Sequence, residues 1–453
     1  MGFIASSALA VGAAAAVVFA IIIAFHDLAL ERLRRFCIPT AKEAEWAAAY
    51  VEVADEDVDV LSYGEEELGG AESFLEEPEG FLLTSLWDGR IVRLLTDRKM
   101  QHVASTGSHH GVSCSRDRQK RVETRCSRPL GLQFASTPRK EDKTFSLVVC
   151  DGWRGLLQVS VPSSQQIEAG VPPTPSSHAR QLLQGANSQS VFIPNAITEQ
   201  VDGRFFVTDS SEHSDASRFG LIPFEGANSG TGRLLSVDLQ MDTAEVVGDA
   251  IPFANGAVLS YDRSGVLVAA LNPREIRFYP LKPANSQDWK LVKTLPVPPD
   301  NLTRVPVNGQ RLYAAVSFGA AFLPPFFVNS DADGLWQQLR AAAWTALSRA
   351  TRPYKPFPLF GGLLFPVMRL LPASFFDFLI KFGARKSKRG GQVLLFDERG
   401  KLHKWLSLPP KCRYSSEAIL HKWPGATEPV MLIGAFRPEQ PLCQIKISKY
   451  LSM

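Results

Sequence analysis

Several signatures are missing from the 453 residues, and each absence removes a class of function. No pair of the six cysteines has the CxxC spacing of a zinc site. There is no GxSxG elbow, no phosphate-binding GxxxxGK[ST] loop and no HExxH pair. Serine hydrolases built on that elbow, P-loop nucleotidases and zinc peptidases are therefore set aside. Charge of one sign is not in excess either. The 49 basic and 46 acidic residues leave a formal +3, too balanced for a protein whose main partner is a nucleic acid. Sequons are scarce: Asn301-Leu302-Thr303 is the single Asn-x-Ser/Thr site.

Apolar residues make up 45% of the chain, ample for a large core. Residues 3–25, "FIASSALAVGAAAAVVFAIIIAF", carry no charge and are long enough to cross a bilayer. No basic residue precedes them, so a signal-anchor helix over 1–27 is expected, with a cleaved signal as the alternative. Arg32, Arg34 and Arg35 follow the run and would favour the cytoplasmic side. Cys114 and Cys126 bracket the charged loop "CSRDRQKRVETRC". They read either as a disulfide in an oxidising compartment or as two unpaired surface thiols. Residues 28–67 read as a short juxtamembrane helix and an acidic linker.

Beyond the linker the texture changes to short apolar runs punctuated by Gly, Asp and Pro, the signature of strands and turns. Six runs share one form, strand–turn–strand, with starts at 82, 145, 205, 265, 311 and 429. The first five lie 46–63 residues apart, and the wider last gap contains an extra segment. Units of this size built on strand pairs predict an all-β, six-bladed propeller over 68–450. The extra segment, 320–389, is rich in Phe, Leu and Pro and ends in a basic cluster. It is expected as a helical, apolar insertion in the fifth blade, lying on a membrane, lidding a pocket or packed on the propeller.

A second regularity concerns chemistry. Glu72, Asn195, Asn255 and Asn301 each lie ten residues before a unit start, and Asp300 adjoins the last. Equivalent loop positions of a propeller converge near its axis. Two carboxylates and three amide oxygens there would suit a hard cation, Ca2+, better than zinc or copper. Asn and Asp are also common in turns, and each position alone reads more readily as a turn residue than as a ligand.

The strings "CSRPLGL", "DGRFFVTDSS", "PFANGAVLS", "GVLVAALNPREIRFY", "PPDNL" and "GAFRPEQPLCQIKI" resemble the strictosidine synthase-like family, in the adipocyte plasma membrane-associated branch. The resemblance covers about 68–450 and the N-terminal anchor. It implies a six-bladed propeller on the lumenal or extracellular side of a single-pass type II membrane protein, with a disulfide matching Cys114–Cys126. Glu417, in "SSEAILHKW", matches the acid/base glutamate of the condensing enzymes in the family. Glu72, Asn195, Asn255, Asp300 and Asn301 match the calcium ligands of the related paraoxonase propellers. The activity implied is hydrolysis of an ester or lactone. Condensing-enzyme chemistry or non-catalytic, calcium-stabilised binding are the alternatives. The sequence departs from paraoxonases at their histidine pair, where Leu130 and Asp151 or Gly152 stand. Ser73 and Ala196 replace acidic neighbours of two ligands, so one calcium is expected, not two.

Overall fold

The structure is a computed structural model that describes residues 41–63, 70–108, 127–183, 191–211, 230–271, 273–281, 289–317, 390–437 and 440–451. The expected signal anchor, the Cys114–Cys126 pair and the body of the 320–389 insertion lie outside the described residues. Among the described residues no helix is long and apolar enough to cross a membrane. The chain divides into two compact units. One, residues 49–319 and 388–453, is the propeller; of the other, residues 1–48 and 320–387, only 41–48, in the helix Ala41–Ala49, are described.

Six sheets form the propeller. Their second strands are Leu82–Ser85, Thr144–Asp151, Arg204–Asp209, Gly265–Ala270, Gln310–Ser317 and Val430–Ala435. These begin within one residue of the six starts that the sequence spacing picks out. They are buried on both faces: all six residues of Gly265–Ala270 are buried. A strand covered on both sides reads as an unbroken apolar run, which is why these strands stand out in the sequence. Between adjacent blades the cores are continuous. Leu83 and Ile91 of blade one pack with Leu147 and Val159 of blade two, and Phe205 and Leu235 of blade three pack with Val148 and Leu156.

The ring closes through its N-terminal end. Val58–Leu61 pairs antiparallel with Leu442–Ile445, from Val58↔Ile445 to Leu61↔Leu442, and completes the sixth sheet. Tyr50–Glu52 adds a parallel fifth strand to blade five against Trp405–Ser407. Both strands lie in the stretch whose acidic composition reads as linker. Their partners are more than 350 residues away, so no local pattern announces them. Closure removes two open edges that would otherwise invite intermolecular pairing. The fifth blade breaks between its second and third strands: Ser317 pairs with Gln392, and residues 318–389 fall between them.

The innermost strands are Phe74–Glu76, Pro129–Phe134, Pro194–Ile197, Ala254–Leu259, Leu302–Val307 and Ser415–His421. Four of them carry a register shift at their start, within 129–132, 194–197, 254–257 and 415–418. A bulge re-aims the side chains it contains. Here the bulges hold Leu130, Asn195, Asn255 and Ser416-Glu417. The strands crowd at this level: a Cβ on Gly256 would lie 2.4 Å from the Leu302 nitrogen, and one on Gly131 2.7 Å from the Asn195 carbonyl oxygen.

Candidate metal centre and axial cavity

Five blades supply the six expected residues, and the folded chain buries all of them. Asp300 and Asn301 precede the inner strand of blade five. Their backbone is held on both sides: the Asp300 N–H donates to the Val316 carbonyl at 2.6 Å, and the Asn301 N–H to the Ser416 carbonyl at 3.1 Å. Asn255 Nδ2 donates to Asp300 Oδ1 at 2.5 Å. Asn301 Nδ2 and Ser416 Oγ both donate to the Glu72 carbonyl, each at 3.2 Å. Glu417 Oε2 accepts the Phe74 N–H at 2.9 Å. Blades one, four, five and six are thus stitched together by Glu72, Asn255, Asp300, Asn301 and the Ser416-Glu417 pair. Asn195 occupies the corresponding bulge of blade three, 4% exposed. No hydrogen bond among the described residues joins its side chain to the others.

These hydrogen bonds leave acceptors over. A donor must face a carbonyl or a carboxylate, so the amide nitrogens of Asn255 and Asn301 are committed as stated. Their oxygens, Asn255 Oδ1 and Asn301 Oδ1, are buried without a hydrogen-bond partner. An unmet buried acceptor costs about 1–3 kcal/mol, and natural proteins rarely leave two in one place without a reason. The carboxylates are also poorly compensated. Burial pushes Asp300 well above the usual carboxylate range, and the Glu72 and Glu417 carboxylates push the same way, against the Asn255 donor and Arg128. Burial likewise raises Glu417 to about 8, with Glu72 adding to it and the Phe74 N–H and Ser73 hydroxyl opposing.

Two orphaned amide oxygens beside Asp300 and Glu72 form a donor set of hard oxygen. That chemistry fits a hard divalent cation such as Ca2+. Among the described residues no group of three His, Cys, Asp or Glu side chains could hold a metal ion. Any cation here would depend on the amides as well as the carboxylates.

A cavity of about 330 Å³ adjoins the cluster along the axis, lined by inner strands of all six blades. Ser73, Asn301 and Glu417 line it at the cluster end. Leu75, Leu132, Ile197, Leu259, Leu302 and Ile419 make much of the wall apolar. Glu199 and Arg304, also on the wall, pair with each other, and Arg263 reaches Glu199 at 2.7 Å.

At the places of the absent histidine pair, neither residue is available as a base. Leu130 is core, 1% exposed. Asp151 accepts the Ser127 hydroxyl and the Trp153 and Arg154 N–H groups at 3.0 Å, fixing a turn. Residue-by-residue reading passed over Arg128, whose Nη2 lies 2.8 Å from Glu72 Oε2. It sits inside "CSRPLGL", but its partner is 56 residues away, so spacing gives no hint. The sequon Asn301 is 8% exposed and engaged through Nδ2, and is closed to glycosylation in the folded chain. The disulfide among the described residues is Cys412–Cys443, which joins the turn before the inner strand of blade six to that blade's third strand.

No family model matches the chain. Similar proteins include strictosidine synthase-like 13 of Arabidopsis thaliana, 29% identical over 50% of this chain and 53% of its own length. The adipocyte plasma membrane-associated protein Hemomucin of Drosophila melanogaster is 30% identical over 49% of this chain and 34% of its own. Adipocyte plasma membrane-associated protein of Rattus norvegicus is 29% identical over 47% of this chain and 50% of its own. The matches therefore span about half of these relatives, or less. Solved structures of similar shape include a gluconolactonase from Xanthomonas campestris (13% identity, TM-score 0.44, 86% of this chain and 88% of that one). Another is a calcium-binding regucalcin from Agrobacterium tumefaciens (9%, 0.46, 88% and 95%).

Proposed function

We propose, for a chain whose recognisable relatives are strictosidine synthase-like and adipocyte plasma membrane-associated proteins, a calcium-dependent hydrolase of esters or lactones. The observation that carries the reading is the pair of orphaned amide oxygens, Asn255 Oδ1 and Asn301 Oδ1, beside the under-compensated Asp300 and the Glu72 carboxylate. Glu72, Asn195, Asn255, Asp300 and Asn301 would hold one calcium. Bound there, calcium would supply Lewis-acid polarisation of a carbonyl and a counter-charge for its oxyanion. The apolar cavity wall would receive a small apolar acyl or lactone group and exclude water from around it. Glu417, on that wall with one oxygen committed to the Phe74 N–H, holds a proton below about pH 8 and can exchange it.

The propeller is proposed to sit on the lumenal or extracellular side of a membrane, anchored by residues 1–27. Cys412–Cys443 supports this, because such bonds persist in oxidising compartments. The charge-free 3–25 run supports the anchor.

A second reading has its own observation. A carboxyl group raised to about 8 on the wall of the axial cavity is suited to acid/base work in a condensing enzyme, with Glu417 as that group. A third, a calcium-stabilised binding propeller, has no turnover. Hydrolysis of a panel of aryl esters and lactones by the 453-residue chain, with calcium and with chelator, beside Asp300→Ala, separates them. Turnover lost on chelation and in the variant is the expected result. No turnover by a folded protein under any condition would sink the hydrolase reading and leave the other two.

A further inference from the structure

Arg128 is built into the candidate centre rather than left beside it. Its guanidinium is 2.8 Å from Glu72 Oε2, with both side chains 8% exposed, and lies 3.8 Å from the centre of the Trp87 ring. Its backbone is pinned as well. The Arg128 carbonyl accepts the Gly152 N–H at 2.9 Å, and Asp151 binds the Ser127 hydroxyl next door. Trp87 is crowded from behind by Gly70, where a Cβ would come within 2.7 Å of the Trp87 Cβ. The guanidinium is therefore held against the carboxylate that a cation would need.

We propose that Arg128 is an internal competitor for the cation, holding Glu72 when the site is empty and keeping its calcium affinity low. The inference rests on the calcium reading above. A guanidinium and a divalent ion both draw on the charge of Glu72 and repel each other across it. Cation binding must displace the arginine or tolerate it, and either way the fixed positive charge weakens the ion's hold. By linkage, calcium loosens the Arg128–Glu72 pair by the same factor that the pair weakens calcium. The opposite role is positioning, with Arg128 presenting Glu72 to the ion. It predicts the opposite sign.

Calcium chloride is titrated calorimetrically into the chelator-treated, full-length wild type, Arg128→Gln, Arg128→Lys and Asp300→Ala proteins, with the calcium-induced rise in Tm as a second readout. Arg128→Gln is expected to bind at least about tenfold tighter than wild type. Arg128→Lys, which keeps the charge but loses the planar fork, should fall between them. Asp300→Ala should not bind. Unchanged or weaker binding by Arg128→Gln overturns the inference. If wild type binds and Asp300→Ala does not, the calcium reading survives that loss. If folded wild type and Arg128→Gln both fail to bind, the two fall together. Should Arg128→Gln not fold, Arg128→Lys decides: tighter than wild type supports competition, equal or weaker overturns it.

Discussion

Two buried charged clusters in this molecule are built on opposite principles. The first joins blades one and two. Arg93 and Glu77 are both fully buried and meet through two hydrogen bonds, Nε to Oε2 at 2.5 Å and Nη2 to Oε1 at 2.6 Å. Arg93 also donates to the Pro162 carbonyl at 2.7 Å and to Gln101 Oε1 at 3.2 Å. The second is the Glu72–Asp300–Glu417 cluster at the axis. There one guanidinium pairs with Glu72 and acts on Asp300, Glu417 has only the Phe74 N–H and the Ser73 hydroxyl against its burial, and two amide oxygens have no partner. A buried charge with its hydrogen bonds met is architecture. A buried polar cluster left short of positive charge costs stability unless something else binds it.

That contrast can be broken by mutation. The largest effect is expected at the satisfied pair. Arg93→Ala strands Glu77 and should cost about 3–5 kcal/mol in urea unfolding, while leaving the fitted calcium affinity of the folded fraction unchanged. A calcium affinity that moved with it would mean the two clusters are coupled. Asp300→Asn should act in the reverse sense. In chelator it relieves carboxylate crowding and should raise Tm. It should also forfeit the calcium-induced stabilisation, about 2.7 kcal/mol at a calcium concentration one hundred times Kd. An Asp300→Asn protein less stable than wild type in chelator would show that Asp300 is structural.

The effect at Glu417 is graded with pH and sharpens the assignment of that residue. Its folded pKa, about 8, lies above its ordinary 4.5. The native state therefore binds the extra proton between those values. The contribution of Glu417 is full below about pH 4.5 and is lost as pH rises through 8. In chelator Glu417 should contribute a slope of about 1.4 kcal/mol per pH unit inside that window, added to that of Asp300. Glu417→Gln should remove that contribution and leave the dependence due to Asp300, which burial also raises. Unfolding midpoints measured from pH 5 to 8.5 test this, and an unaltered slope in the variant would refute it.

Legibility in the sequence followed burial. The second strand of each blade was visible because both faces are covered, so "LVVC" and "GVLVAA" are apolar without interruption. The inner strands were nearly invisible as strands. "RPLGL", "FIPNA" and "PFANG" mix Pro, Gly and Asn because bulges and close strand approach require them. The same oddity made their polar residues stand out at a constant offset. The closing strand Val58–Leu61 was hidden in acidic sequence, since only two of its four residues are buried. Cys412 and Cys443 gave no sign of pairing, because 31 residues of separation is compatible with any partner.

By itself the sequence determined the repeat, the fold class and the chemical type of the candidate donors, because periodicity and side-chain chemistry are local properties. Only the tertiary structure decided which donors meet and which are satisfied. It set Arg128 against Glu72, left Asn255 Oδ1 and Asn301 Oδ1 without partners, and placed Glu417 on the wall of the axial cavity. Those outcomes depend on closing a ring whose ends are hundreds of residues apart, and no window along the chain contains both sides of such a contact.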